Sequence, residues 1–163
     1  MQEFFTLGEK QHLCGMQKIN FPAYDFRYKS KENQRYVFDI IRKKFVVLTP
    51  EEWVRQHALR YLILDKHYPA SLVNVEKKLL VGNLTKRYDI AVYDSAGRLS
   101  LLVECKRPDV PVTQDTFDQA ARYNMVLEAP FLWLTNGLTH YYCQVDTVNK
   151  KYDFLKEIPE YIR

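Results

Sequence analysis

The sequence predicts an α/β fold with a central mixed β-sheet flanked by helices, and three observations predict it. Helix-start signals stand at Thr49 and Thr113. Between them runs strand-like alternation broken by turn residues, and after the second helical stretch a short apolar run leads into Asn136-Gly137. A helix, three strands, a helix and a hairpin describe one sheet covered by helices. At 163 residues the chain has the size of one ordinary domain.

Residues 1–35 mix aromatic and polar residues without a clear period and include Pro22, which predicts an irregular or strand-containing lead-in. Over 34–48, Tyr36, Phe38 and Ile40 alternate before the apolar run Phe45-Val46-Val47-Leu48, enough for one or two strands. Thr49-Pro50-Glu51-Glu52 starts a helix over about 50–66. Thr49 can cap it, proline suits a first turn that has no use for its N–H, and Glu52 stands where a capping box places its acid. Val54, Ala58, Tyr61 and Leu62 share a stripe, and Asp65 marks where burial ends. Residues 72–81, 86–93 and 99–105 alternate with period two and are separated by Gly82-Asn83 and Asp94-Ser95-Ala96-Gly97, a meander that Pro108 stops. A second helix over about 113–127 carries Phe117, Ala120, Ala121 and Asn124 on one stripe. A buried strand over 131–134 forms a hairpin with 139–145, and the tail over 152–162 is expected to close as a short helix.

Composition narrows the function class without naming one. A 47% hydrophobic and 27% charged chain is globular rather than disordered. Its net charge of +4 suits a polyanionic partner but is common elsewhere. Cys14, Cys105 and Cys143 are odd in number and far apart, which excludes a disulfide framework or Cys-x-x-Cys zinc site and fits a reducing cytoplasm. No apolar run is long enough to span a bilayer, and Glu3, Glu9 and Lys10 interrupt any signal-peptide pattern, so a soluble cytoplasmic protein is expected. His12, His57, His67 and His140 lack ligand-like spacing.

An acid two positions before a lysine occurs at Glu76-Lys77-Lys78 and at Glu104-Cys105-Lys106, roughly the number chance would give. Context favours the second. Period two puts Glu104 and Lys106 on one face of their strand, with Leu101, Val103 and Cys105 on the other. A hairpin folded about Ala96/Gly97 sets Asp89 opposite Glu104. Facing carboxylates repel unless a cation lies between them. Two acids and a backbone carbonyl, expected to be that of Cys105, form an oxygen-only set that favours Mg2+ or Mn2+, with Lys106 beside the bound water. The bland alternative is a hairpin with charges on its wet face. Glu52 has the capping box as sufficient reason, and Gln119 with Tyr123 could be a packed helical pair. Lys77, Lys78, Lys86, Arg87 and Arg107 could rim the site for phosphate or simply be solvated.

Several stretches are similar to one known family: Thr49-Pro50-Glu51-Glu52-Trp53-Val54-Arg55-Gln56, Glu76, Arg87-x-Asp89, Val103-Glu104-Cys105-Lys106-Arg107-Pro108, Asp118-Gln119-Ala120-Ala121-Arg122-Tyr123-Asn124 and Leu134-Thr135-Asn136-Gly137. The chain resembles the N-terminal nuclease domain of type I restriction enzyme R subunits, in a small stand-alone form of the RecB-like PD-(D/E)xK superfamily. The similarity covers about 36–145, between the 1–35 lead-in and a 146–163 tail. It implies a restriction-endonuclease-like core and a Mg2+-dependent deoxyribonuclease. Asp89 and Glu104 would bind metal, Lys106 would position or activate water, Gln119 and Tyr123 would support the site or the DNA backbone, and Glu52 would complete the metal set. The implied partners are DNA and other restriction or repair subunits. No Gly-x-x-x-x-Gly-Lys-Ser/Thr loop is present, so any ATP-driven motor is expected to be another polypeptide. The alternative is a nuclease-fold module that binds DNA or a partner protein without cutting.

Overall fold

The computed structural model describes residues 16–162, so Cys14 and the first part of the lead-in lie outside the described residues. Three strands, β1 (Tyr28–Lys31), β2 (Gln34–Asp39) and β3 (Lys44–Val47), make a small antiparallel sheet. Helix α1 (Pro50–Arg60) follows and ends in a wider π turn over Tyr61–Asp65. Then come β4 (Val73–Val81), β5 (Leu84–Tyr93) and β6 (Leu99–Cys105), α2 (Gln114–Leu127), and β7 (Phe131–Thr135), β8 (His140–Asp146) and β9 (Lys151–Leu155). These six strands form one sheet in sequence order. Only β6 and β7 pair in parallel, which needs a crossover, and α2 supplies it.

The helices cover opposite faces of this sheet. Val54, Ala58, Leu59 and Leu62 of α1 pack with Ile90, Val92, Leu101, Val103 and Trp133. Phe117, Ala120 and Ala121 of α2 pack with Tyr88, Ala91, Leu102, Leu132 and Leu134. On its outer side α1 meets the small sheet, where Trp53 joins Val37 and Leu48. Enclosed on both sides, α1 is buried along nearly its whole length, polar residues included.

The tail departs from the expected helix. Residues 151–155 are strand β9, paired with β8, and Tyr152 and Phe154 place their rings 4.9 and 5.1 Å from that of Phe117. Tyr and Phe at period two favour a strand over a helix. The turn before it has no glycine: Asp146 accepts from the Val148 and Asn149 amides, and Lys150 takes the left-handed conformation at φ 53°. The Asn136-Gly137 hairpin does form, but as a four-residue loop in which Asn136 accepts from the Leu138 and Thr139 amides. Gly137 has φ 84°, and a Cβ there would stand 3.0 Å from Ile19 and 3.1 Å from Val54.

Candidate active site

The β5–β6 ladder sets the backbones of Asp89 and Glu104 opposite each other, but their carboxylates do not face each other as simple alternation predicts. The register runs Val92↔Leu101, Ala91↔Leu102 and Ile90↔Val103, and one further step sets Asp89 opposite Glu104. A shift between Val92 and Tyr93 confines that register to the end away from the turn. Asp89 also lies where the strands twist. Ile90 and Val92 face α1, whereas Ala91 and Tyr88 face α2, so the alternation changes phase at Asp89. Its neighbour across β4 is Glu76, whose φ of 54° is left-handed in mid-strand, a conformation that costs a non-glycine residue about 1 kcal/mol.

Asp89 thus turns its carboxylate between the strand edge and α1. Oδ2 accepts from the Cys105 amide at 2.7 Å and Oδ1 from Arg55 Nη2 at 2.5 Å. Arg55 also donates to Glu52 at 2.5 Å and Glu51 at 3.2 Å. Arg42 bridges Glu52 at 2.6 Å, Asp39 at 2.8 Å and Glu76 at 3.0 Å. Five carboxylates therefore share two guanidinium groups, with Arg87 3.7 Å from Glu76 at the margin. The assembly keeps an excess of negative charge.

Glu104 faces the opposite way, toward α2. With Lys86, Lys106, Thr116 and Gln119 it lines a cleft of about 30 Å³, room for a water or two. Glu104 is buried, and that desolvation raises its carboxyl above the ordinary glutamate range; Asp89 adds to the rise, while Lys86 and Lys106 oppose it. Lys86 Nζ stands 3.2 Å from Oε1 but is poorly aligned, so Oε1 is a buried oxygen with no hydrogen-bond donor. Lys86 is itself held over two rings, 4.3 Å from the centroid of Tyr123 and 4.6 Å from that of Tyr88.

Glu104, Lys106 and Gln119 meet at the cleft. Tyr123 reaches the site through Lys86. Glu52 does not reach the cleft: its two carboxylate oxygens take bonds from Arg42, Gln56 and Arg55, and it touches Asp89 only by way of Arg55. The capping box is likewise half made. Thr49 accepts from the Glu52 amide at 3.1 Å, but the Thr49 amide bonds Val47 O and the Glu52 side chain turns to the arginines. Among the rim candidates Lys86 points inward and Arg107 pairs with Asp109. The roles of Lys86, Arg42 and Arg55 went unread because their acids lie 18, 10 and 34 positions away. The hint for Arg55 was local: Glu51 and Glu52 precede it at helical spacing.

The family model described as type I restriction enzyme R protein N terminus matches residues 50–159. The chain belongs to this family. Its matched region runs from the first residue of α1 past the end of β9, so it includes both helices and the whole six-stranded sheet. Among solved structures, a fragment assigned to the HsdR subunit of a type I restriction enzyme from Vibrio vulnificus YJ016 is 20% identical, with a TM-score of 0.48. That match covers 69% of this chain and 24% of the other, so the chain spans about a quarter of that protein's length. No curated protein matches.

The R-protein family member has donors that suit a hard cation. Asp89 and Glu104 are carboxylates, and in an extended strand the Cys105 carbonyl points to the same side as its amide, toward Asp89. Glu104 Oε1 adds a buried oxygen whose positive partner is Lys86, at 3.2 Å without an aligned hydrogen bond. The Cys105 thiol is fully buried, which raises it well above the usual thiol range and leaves it protonated. Among the described residues, no group of three or more His, Cys, Asp and Glu side chains is spaced to hold a metal, so the set depends on that carbonyl and on water. No helix among the described residues is long and apolar enough to cross a membrane.

Proposed function

We propose that this protein is a metal-dependent deoxyribonuclease serving a restriction-type assembly, with Asp89, Glu104 and the Cys105 carbonyl holding Mg2+ or Mn2+. The observation that carries the reading is the Glu104 cleft: a buried carboxylate, ion-paired with Lys86, that shares a water-sized space with Lys106 and Gln119, one strand from Asp89. The bound cation would supply Lewis-acid neutralisation of the phosphate charge. Everything else falls to side chains. Lys106 would orient the attacking water and offset the negative charge that builds on the phosphate oxygens. Gln119 holds that water from α2. Arg55 holds and aims the Asp89 carboxylate, and Lys86, clamped by Tyr88 and Tyr123, balances the charge of Glu104 until the phosphate arrives.

The rival reading, a nuclease fold that binds DNA or a partner protein without cutting, has an observation of its own. Arg55 and Lys86 already stand against the two acids. The two readings separate in one assay. Supercoiled plasmid incubated with Mg2+ or Mn2+ should be nicked or degraded, EDTA should stop it, and Glu104→Ala should abolish it with the circular dichroism unchanged. Salt-sensitive DNA binding without cleavage under any metal, unaltered by Glu104→Ala, would establish the rival.

A further inference from the structure

We propose that the outer half of the β4–β5 hairpin is an arm that follows the phosphate backbone of duplex DNA beside the candidate site, with Leu80 seated in a groove. The identity of the polyanion rests on the functional reading above; cleavage does not enter.

From 77 to 88 the hairpin carries Lys77, Lys78, Lys86 and Arg87 and no acidic residue. The left-handed Glu76 divides it from the rest of the sheet: Val75 packs in the α1 core, whereas Leu79 beyond it packs in the α2 core. On the face away from α2, Lys78 stands directly opposite Arg87 and Leu80 opposite Thr85. Like charges facing each other across a ladder destabilise it, and no acid on the arm offsets this pair. Among the described residues Arg87 pairs with Glu76 alone, at 3.7 Å, and its side chain is 63% exposed. An anion lying over Lys78 and Arg87 would turn that repulsion into attraction.

The apolar part points the same way. Leu80 is 70% exposed and Leu84 65% exposed, on either side of the Gly82 turn. An apolar tip flanked by basic residues is the chemistry of a groove wedge, in which cations contact phosphates and a leucine sits against base edges. The placement is useful. Arg87 precedes Asp89 by two residues, about 7 Å along the strand, so a backbone held at Lys78 and Arg87 passes close to Asp89.

The test measures binding of the full chain to a fluorescent DNA duplex in EDTA, by anisotropy over a series of salt concentrations. Lys78→Ala/Arg87→Ala should flatten the slope of log affinity against log salt by roughly 2, one phosphate contact for each residue removed. A charge-matched control at exposed positions of the tail region, Lys150→Ala/Lys156→Ala, should leave the slope unchanged. Leu80→Ser should weaken binding several-fold at an unaltered slope. The proposal is overturned if the hairpin variant keeps the wild-type slope, or if the Leu80→Ser effect is loss of a self-association while DNA binding stays intact. Because no cleavage is read, failure here leaves the nuclease reading standing, and failure of Glu104→Ala to alter cleavage would leave this result standing.

Discussion

In the proposed chemistry Glu104 is the central residue. It is buried, its carboxyl is raised by desolvation, and it shares a water-sized cleft with Lys86 and Lys106, three properties that a surface charge would lack. Glu104→Ala and Lys106→Ala should each lower metal-dependent cleavage by at least about a hundredfold, since each removes a group acting on the transition state. Near-wild-type rates in either variant would remove that residue from the mechanism. Tyr123 makes a subtler case. The family resemblance marks it, yet its ring face, 4.3 Å from the Lys86 ammonium, is what touches the site. Tyr123→Phe keeps the face and should cut within about twofold of wild type, whereas Tyr123→Leu should lose about tenfold, the scale of a desolvated cation–π contact. Mn2+ affinity by calorimetry should follow the same order. Equal losses in the two variants would show that the hydroxyl matters instead.

At the scale of elements, α1 is the part whose energetics are least visible from outside. Its polar residues are buried because two sheets enclose it, and they form the cage that presents Arg55 to Asp89. Asp39, fully buried, accepts from the Ile41 and Arg42 amides, the Arg42 side chain and Gln56. Asp39→Ala should therefore cost about 2 to 3 kcal/mol in urea unfolding, because the Ile41 and Arg42 amides and Gln56 lose their acceptor while Arg42 keeps Glu52 and Glu76. A cost below about 1 kcal/mol would mean that the cage is well hydrated. His57 gives α1 a pH signature. Burial among the rings of Phe21, Tyr24, Phe26 and Trp53 pushes its imidazole down to about 4, with Arg60 helping and the Trp53 carbonyl opposing. The unfolded chain takes up this proton near 6.5 and the folded one only near 4. Stability accordingly falls as pH drops through that window, and His57 contributes no further slope below it. Between pH 7 and pH 5 the His57 share is about 2 kcal/mol. His57→Gln should remove that share from the wild-type difference in urea stability; an unchanged difference would contradict the account.

The whole molecule was legible where sequence period and local signals agree. Both helix starts were readable at Thr49 and Thr113, and both threonines cap. The meander was readable from alternation, and the β5–β6 register from the midpoint of the turn. Less legible were features set by distant partners. The phase change at Asp89 depends on a left-handed Glu76 on another strand, so simple alternation could not show that Asp89 turns toward α1 while Glu104 turns toward α2. Lys86 looked like a rim charge because the two rings that fold it inward lie on β5 and α2. The tail lacked a glycine to announce its turn, and Lys150 filled the left-handed position instead.

In the proposed function Asp89 and Glu104 converge on a single hard cation although the protein presents them to different helices. Crystals grown with Mn2+ test it most directly through anomalous scattering. The account predicts a Mn2+ peak bonded to both carboxylates and to the Cys105 carbonyl, with Glu52 still held by Arg42 and Arg55. A peak that touches neither carboxylate, with Asp89 still on Arg55 and Glu104 still on Lys86, would contradict it.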